Sequence, residues 1–215
     1  MMSINEQIYQ NLFLKIGEPF KNKWFNSFIL ELSSNKDLDN IVDMLEELFL
    51  GANVIKKDNE IIVVYYNEID FSIKDVALSI SDDFGVNTLV FSFPKLYVKE
   101  NKFLDIYGLY KKYISNKKQG YYEISDLVLE IFKYDLEDAR YLKRVVLEKV
   151  LNDSQNENLI ISMFENNLNV LKTSKNIYMH RNTINNKIDA LRKETGMNIV
   201  KFQDAVAMYL LIKMK

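Results

Sequence analysis

Apolar residues recur at helical spacing through much of the N-terminal part of the chain. Trp24, Phe25, Phe28 and Leu32 fit this spacing and predict a first helix. A second amphipathic helix is predicted at 37–50, with Asp37 as its N-cap and Gly51 as its stop. The same spacing predicts further helices at 72–83, 97–118, 125–133 and 136–151.

Three other segments are rich in β-branched and aromatic residues and predict strands. Val54-Ile55 and the run 61–66 flank the polar tetrapeptide Lys57-Asp58-Asn59-Glu60, which is typical of a hairpin. A third strand is predicted at 88–93, where Pro94 closes it. The N-terminal part is therefore predicted to be a small α+β domain.

The run 152–158 contains no apolar residue and is the clearest linker in the chain. We place a domain boundary there, which gives an α+β domain for dimerisation or sensing at 1–154 and an all-α domain at 155–215. No internal repeat or low-complexity tract is present. The predicted fold class of the whole chain is α+β.

The C-terminal segment has the proportions of a helix-turn-helix. A helix with Leu159, Ile160, Met163 and Phe164 precedes it. A short helix at 170–177, with Leu171, Ser174 and Ile177 on one side, and a turn of about three residues lead to a longer helix at 180–195. Gly196 is expected to end that longer helix in the left-handed conformation. A closing helix at 201–214 should turn Phe202, Val206, Tyr209 and Leu210 inward.

The longer helix has two different faces. At 100° per residue, Ile184, Ile188 and Leu191 share a narrow arc and should be buried. The opposite face is rich in asparagine beside arginine, which suits the major groove because asparagine can pair with an adenine edge and arginine with guanine O6 and N7. Residues of the shorter helix could hold phosphates. The candidate DNA-contacting residues are Lys172, Thr173, Lys175, His180, Arg181, Asn182, Thr183, Asn185, Asn186 and Lys187.

The charge distribution agrees with a polyanionic partner for this segment alone. Residues 155–215 hold nine Lys/Arg and five Asp/Glu, whereas the other residues hold 19 basic and 25 acidic side chains. An acidic body with a basic C-terminal end favours nucleic acid as the partner of that end. Chance variation of a few charges is the plain alternative.

Composition excludes several other classes of function. The chain has no cysteine and one histidine, so disulfides, thiolate zinc sites and cysteine nucleophiles are excluded. No HExxH motif, nucleophile elbow or glycine-rich phosphate loop is present, so we expect no catalytic residue, metal site or cofactor. The paired carboxylates Asp82-Asp83 and Glu46-Glu47 are expected at the solvated surface.

No membrane attachment is expected either. The longest apolar run, 205–212, is eight residues long, against the roughly 20 that span a bilayer. The first ten residues lack the basic flank and apolar stretch of a signal peptide. The expected location is the cytoplasm.

Residues 159–212 resemble the C-terminal helix-turn-helix of PucR/CdaR-type bacterial transcription regulators. The family has a His-Arg-Asn-Thr core after a hydrophobic residue, and here that core is Met179-His180-Arg181-Asn182-Thr183. Thr195-Gly196 and the closing amphipathic helix also match. Ser174 stands where the family usually has alanine, Leu171 where it is usually polar, and Asn186-Lys187 where it usually has Tyr-Arg, which should change the bases or phosphates contacted.

The resemblance implies that His180 lies at the start of a recognition helix, where it caps the helix or contacts phosphate. It also suggests that residues 53–123 are a reduced, degenerate GGDEF-like domain. None of the six glycines are adjacent, so the Gly-Gly hairpin of an active diguanylate cyclase is missing.

We therefore interpret the chain as a sequence-specific, double-stranded-DNA-binding transcription regulator and not an enzyme. It should act as a homodimer, because one recognition helix covers only a few base pairs. One alternative is a protein-interaction regulator whose helix-turn-helix no longer binds DNA. A second is an enzyme with an N-terminal metabolite site, which the missing motifs disfavour. Some of the 13 tyrosines and 13 phenylalanines could line a pocket for a small-molecule effector, which the sequence does not identify.

Overall fold

A computed structural model describes residues 2–214. Contacts between residues divide the chain into two compact units, with the division after Tyr122. The first unit is a mixed sheet with helices, and the second contains helices without a strand among its described residues. The fold class is α+β, as predicted.

The first unit is built on a six-stranded sheet in the order β2-β3-β1-β4-β6, with β5 paired to the start of β1. Its β1-α2-β2-β3-α3-β4 part is a split βαβ arrangement in which neighbouring strands are antiparallel, and β6 adds a parallel strand beside β4. The elements are α1 (Ile4–Leu14), β1 (Trp24–Leu32), α2 (Leu38–Leu48), β2 (Asn53–Lys57), β3 (Glu60–Tyr65), α3 (Ile73–Phe84), β4 (Thr88–Ser92), β5 (Leu96–Tyr97), a 3-10 turn (Val98–Glu100), α4 (Phe103–Tyr113) and β6 (Gly120–Tyr122).

The helix predicted around Trp24 is wrong, because this segment is β1, a central strand of the sheet. A spacing of four residues places side chains on one side of a helix and also on one side of a strand, so Trp24, Phe28 and Leu32 fit both. β1 is covered on both faces, and its inner residues therefore lack the alternation of apolar and polar positions that identifies a half-exposed strand.

The remaining predictions for this unit are largely confirmed. The hairpin forms as β2 and β3, and α2, α3 and β4 lie at the predicted places. Asp37 precedes α2, although its side chain makes no capping hydrogen bond. The helix predicted at 97–118 is shorter, since α4 is Phe103–Tyr113. Helix α1, which begins with a capping box between Ser3 and Glu6, was not predicted.

Residues 53–123, the range predicted to be GGDEF-like, do not contain the whole sheet of this unit. Residues 53–123 leave out β1, which pairs with β3 on one side and β4 on the other, so the sheet does not start at residue 53. The likeness of this unit to a degenerate GGDEF-like domain stays a prediction.

On one face of the sheet, two largely buried glutamates pair with a lysine whose side chain is 39% exposed. Glu31 and Glu60 are register partners on β1 and β3. Lys111 Nζ of α4 lies 2.8 Å from Glu31 Oε1 and 2.5 Å from Glu60 Oε1. The hydroxyl of Tyr107 donates to Glu60 at 2.9 Å, and that of Tyr110 donates to Glu31 at 2.6 Å. These five side chains form the buried network of the first unit.

The network shifts the ionisation of its own members. Burial, followed by the hydrogen bonds to the two carboxylates, raises the pKa of Tyr107 and of Tyr110. Burial alone would lower the pKa of Lys111, but the hydrogen bonds to Glu31 and Glu60 outweigh it and the pKa is raised. The lysine therefore stays charged, and the tyrosines stay neutral hydrogen-bond donors.

The second unit consists of α5 (Ile124–Ile131), α6 (Leu136–Leu151), α7 (Ser154–Glu165), α8 (Val170–Asn176), α9 (Arg181–Thr195) and α10 (Phe202–Lys213). The helices predicted at 125–133 and 136–151 are thus confirmed, but they belong to the C-terminal unit. Helix α6 packs against α5, α7, α9 and α10. No described helix is long and apolar enough to cross a membrane.

The division between the compact units therefore lies 32 residues before the division predicted at 154/155. The polar run 152–158 is a short connection and the first turn of α7. Asp153 is the N-cap of that helix, and its Oδ1 accepts a hydrogen bond from the backbone N–H of Gln155 at 2.9 Å. A run of polar residues is typical of an exposed helix start and also of a linker, and here it forms a helix start.

Candidate nucleic-acid interface

Helices α8 and α9 form the helix-turn-helix expected from the sequence. Asn169 begins α8 by accepting a hydrogen bond from the backbone N–H of Lys172 at 3.0 Å. The turn between the helices is closed by the backbone N–H of Met179, which donates to Ser174 O at 3.0 Å. α8 packs against α7 on one side and α9 on the other.

His180 is the N-cap of α9. Its Nδ1 accepts a hydrogen bond from the backbone N–H of Asn182 at 3.2 Å, and its backbone is extended. This is one of the two roles that the resemblance implied for it. Because Nδ1 accepts, the neutral ring carries its proton on Nε2, which leaves an N–H donor on an exposed side chain.

The predicted buried face of α9 is confirmed. Ile184 is fully buried, Ile188 and Leu191 are nearly so, and Thr195 extends this face to the end of the helix. Gly196 ends the helix with φ at 74°, the left-handed conformation expected for a glycine stop. These contacts fix which side of α9 faces outward.

The outward side carries most of the candidate residues. No ion pair or side-chain hydrogen bond of Arg181 or Asn185 to another described residue is formed. α9 therefore presents arginine and amide groups in water beside its N-terminal turn, where backbone N–H groups are also oriented outward. The exposed candidates are Lys172, Lys175, His180, Arg181, Asn182, Thr183, Asn185 and Asn186.

Two of the candidate residues serve the fold instead. Thr173 is fully buried, and its hydroxyl points to Ser162 O of α7 at 3.5 Å, so it cannot reach a phosphate. Lys187 pairs with Asp153 at 2.8 Å and donates to Asn156 at 3.3 Å. Its side chain, 20% exposed, joins α9 to the start of α7. The sequence shows residue type and helical angle, but not which neighbouring helix lies beside each position.

Phe202 was predicted to turn inward, and Leu171 was predicted to share one side of α8 with Ser174 and Ile177. Leu171 is 58% exposed, because α8 turns Thr173 and not Leu171 toward α7. Phe202 is 75% exposed at the start of α10, whose buried side begins with Asp204 and Ala205. Tyr209 does pack inward, stacked on Phe164 with ring centroids 4.0 Å apart.

Sequence reasoning missed Tyr178, in the turn between α8 and α9. Its side chain is 97% exposed and its φ is 52°. An aromatic residue two positions before His180 was a possible signal, but an isolated tyrosine is more often assigned to a core.

The described residues do not group into a metal site. Among residues 2–214, no three His, Asp or Glu side chains lie close enough to hold a metal ion together. Asp153 has a lowered pKa, first because Lys187 donates a hydrogen bond to it and then because the backbone N–H of Gln155 does. This shift follows from helix capping and an ion pair, without a reactive group nearby.

The geometry of this unit agrees with a comparison of the sequence with protein families. Residues 159–214 match the PucR C-terminal helix-turn-helix domain. This segment is similar to a PucR-type helix-turn-helix. The match covers α8, the turn and α9 completely, and it indicates that the chain is a transcription regulator.

A comparison over the whole chain gives a further likeness. The crystal structure of a regulator of polyketide synthase expression from Bifidobacterium adolescentis is similar with a TM-score of 0.45 and 10% sequence identity. The alignment covers 98% of this chain and 91% of that one. No curated protein matches the sequence significantly.

Proposed function

We propose that the protein is a sequence-specific regulator of transcription that binds double-stranded DNA through the outward side of α9. The observation that carries the proposal is that Arg181 and Asn185 pair with no side chain of the described residues and lie on the exposed side of a helix whose other side is fixed by Ile184. A solvated helix surface has no need for asparagine, which forms helices less well than lysine or glutamate.

The chemistry of this side suits a major groove. Arg181 is the first residue of α9, and Asn182 and Asn185 follow within its first turns, the part of a recognition helix that enters the groove. Arginine can donate twice to guanine O6 and N7, and asparagine can both donate to and accept from adenine. Lys172 and Lys175 on α8 are exposed and suit phosphate contacts that hold the protein in register.

The active form is proposed to be a homodimer. One such helix covers only a few base pairs, so specific affinity normally requires a second copy on a paired half-site. The first unit is proposed to supply the dimer interface and to sense an effector. Light scattering on the full chain tests the dimer. A monomeric mass for a chain that still binds specific DNA tightly would contradict it.

The deciding experiment selects fragments of genomic DNA on the full chain and then measures binding to selected and random duplexes over a range of salt concentrations. We expect enrichment of a common sequence and weaker binding to random duplex. Affinity should fall with salt, because phosphate contacts release counterions. If no duplex binds at low salt, the alternative of a regulator that acts through a protein partner replaces this proposal.

A matched pair of variants tests the surface itself. Lys193 is an exposed cation in the last turn of α9, 12 residues from Arg181 and therefore about 18 Å along the helix. Arg181→Ala and Lys193→Ala change the net charge equally, but only Arg181→Ala should strongly weaken binding to the selected sequence. Equal losses in both variants would show that charge alone, and not base recognition, drives binding.

A further inference from the structure

The side chain of Tyr178 lies almost entirely in water. It is 97% exposed, the most exposed of the large apolar side chains of the described chain. The neighbouring Ile177 and Met179 are half-buried and hold the turn, and the Met179 N–H donates to Ser174 O. The backbone is therefore fixed while the tyrosine ring extends into water.

The backbone at this position would favour a different residue. With φ at 52°, Tyr178 has the left-handed conformation, which is less costly for glycine, asparagine or aspartate than for a bulky residue. An aromatic ring in water contributes little to folding, since the hydrophobic effect stabilises only the surface removed from water. Neither the turn nor the core explains a tyrosine here.

Its surroundings in the chain are those of an anion-binding surface. Tyr178 lies three residues after the exposed Lys175, two before the capping His180 and three before the exposed Arg181. It thus stands beside the N-terminal end of α9, the end that enters the groove under the proposed function. Tyrosine hydroxyls are among the groups that donate to DNA phosphates.

We propose that Tyr178 is a DNA-backbone contact, with its hydroxyl donating to a phosphate oxygen at the edge of the groove occupied by α9 and its ring against the adjoining sugar. This inference rests on the proposed function. The contact positions α9 without selecting a base, so it should act alike on every duplex. Because the side chain is uncharged, it releases no counterion and leaves the salt dependence of binding unchanged.

The test uses the full chain, a short random-sequence duplex at low salt, and the variants Tyr178→Phe and Tyr178→Gly. Phenylalanine removes only the hydroxyl. Glycine removes the whole side chain and also adopts the left-handed backbone conformation without strain. Since a hydrogen bond to a charged group is lost, Tyr178→Phe should bind about tenfold more weakly, with the same slope against salt. Tyr178→Gly should bind at least as weakly as Tyr178→Phe and melt at the same or a higher temperature.

The glycine variant protects the test against misfolding, because a protein that is more stable yet binds less has lost a contact. Unchanged affinity of Tyr178→Phe would overturn the phosphate hydrogen bond. A lower mass in light scattering for either variant would also overturn the proposal, because the tyrosine would then belong to a protein interface.

Arg181→Ala, measured in parallel, separates this inference from the proposed function. If Arg181→Ala loses affinity for the selected sequence and both Tyr178 variants bind normally, α9 binds DNA without Tyr178 and only this inference fails. If the unaltered chain binds no duplex, both fail together.

Discussion

The two units of the protein use polar side chains in opposite ways. In the first unit, Glu31, Glu60 and Lys111 lie between a sheet and α4, and each charge has an opposite charge within 2.8 Å. In the second unit, the polar residues of α9 lie on the outside, and Arg181 and Asn185 have no side-chain partner among the described residues.

This contrast separates groups that act within the fold from groups available to a partner. A buried charge must be paired, because desolvation otherwise costs several kcal/mol (about 3–5 when one partner of a buried pair is lost). An exposed arginine or asparagine is hydrated, so it can exchange water for a base or a phosphate at small cost. Substitutions in the first unit should therefore change stability, and those on the outer side of α9 should change binding.

A large loss of stability is expected from Lys111→Met, which keeps most of the length of the side chain but removes its charge. Glu31 and Glu60 would then lie side by side without a cation between them. The free energy of unfolding should fall by about 1.5–3 kcal/mol, less than for a fully buried pair, because the Lys111 side chain is 39% exposed and Lys57 stays 3.9 Å from Glu60. Urea unfolding followed by the fluorescence of Trp24, the single tryptophan and part of β1, measures it.

The matched control for that variant is Lys56→Met, in the same unit. Lys56 pairs with Asp39 at the surface, where both side chains are largely solvated, and such pairs contribute little. Its unfolding curve should overlay that of the unaltered chain. If Lys56→Met and Lys111→Met shift the midpoint equally, the buried network has no special role.

Substitutions on the inner side of α9 should lower stability, as substitutions in the first unit do. Ile184→Ala removes fully buried methyl groups and should reduce the free energy of unfolding by roughly 2–5 kcal/mol. Leu171→Ala, at a position that is 58% exposed, is the control and should change it by less than about 0.5 kcal/mol. Thermal melts followed by helical circular dichroism compare the two, and a larger loss from Leu171→Ala would mean that α8 packs differently.

Substitutions on the outer side of α9 should weaken DNA binding and leave stability unchanged. Arg181→Ala and Asn185→Ala each remove one base contact under the proposed function, worth about 1–3 kcal/mol, so specific binding should weaken roughly 5- to 150-fold. Their melting temperatures should stay unchanged. Normal melting together with normal specific binding in both variants would make this side of the helix an ordinary surface.

A smaller difference, in the salt dependence of binding, is expected between two lysines that were both predicted to contact DNA. Lys172 is exposed on α8, so Lys172→Ala should weaken binding to all duplexes alike and lower the salt slope by about one. Lys187 is held by Asp153, and Lys187→Ala should leave that slope unchanged. Binding to random duplex at several salt concentrations distinguishes them, and a slope change in Lys187→Ala would restore it as a phosphate contact.

The smallest effect concerns the acid titration of Asp153. The hydrogen bonds from Lys187 and from the Gln155 N–H hold its pKa below the ordinary aspartate value. Because the folded-state pKa is lower than that of the unfolded chain, Asp153 stabilises the fold above the unfolded-state pKa. That contribution is lost as pH falls through the folded-state pKa. A carboxyl NMR titration should show the low midpoint, and Lys187→Ala should raise it; an unchanged midpoint would exclude the ion pair in solution.

Elements whose pattern is local could be predicted from the sequence. The β2–β3 hairpin has its strands and turn within 53–65, and α3 and α6 have amphipathic periods with polar N-caps at Ser72 and Asp135. The same holds for α9, whose buried isoleucines and glycine stop are all within one segment.

Elements that depend on residues distant in the sequence could not be predicted in this way. β1 is a strand because β3 and β4 pair with it, and the pairs Ile29–Ile62 and Ile29–Phe91 join residues more than 30 positions apart. The division between the units likewise depends on α6 packing beside α9, not on the polarity of 152–158.

For the candidate surface, the sequence by itself determined the helix-turn-helix, the position of His180 at the start of α9 and the buried side of α9. Each of these depends on hydrogen bonds and side-chain angles within a single helix or turn. Only the tertiary structure decided that Thr173 and Lys187 are turned toward α7 while Leu171 and Tyr178 are turned to water. The reason is that helical periodicity orders positions around an axis, whereas packing against a second helix sets which of them are covered.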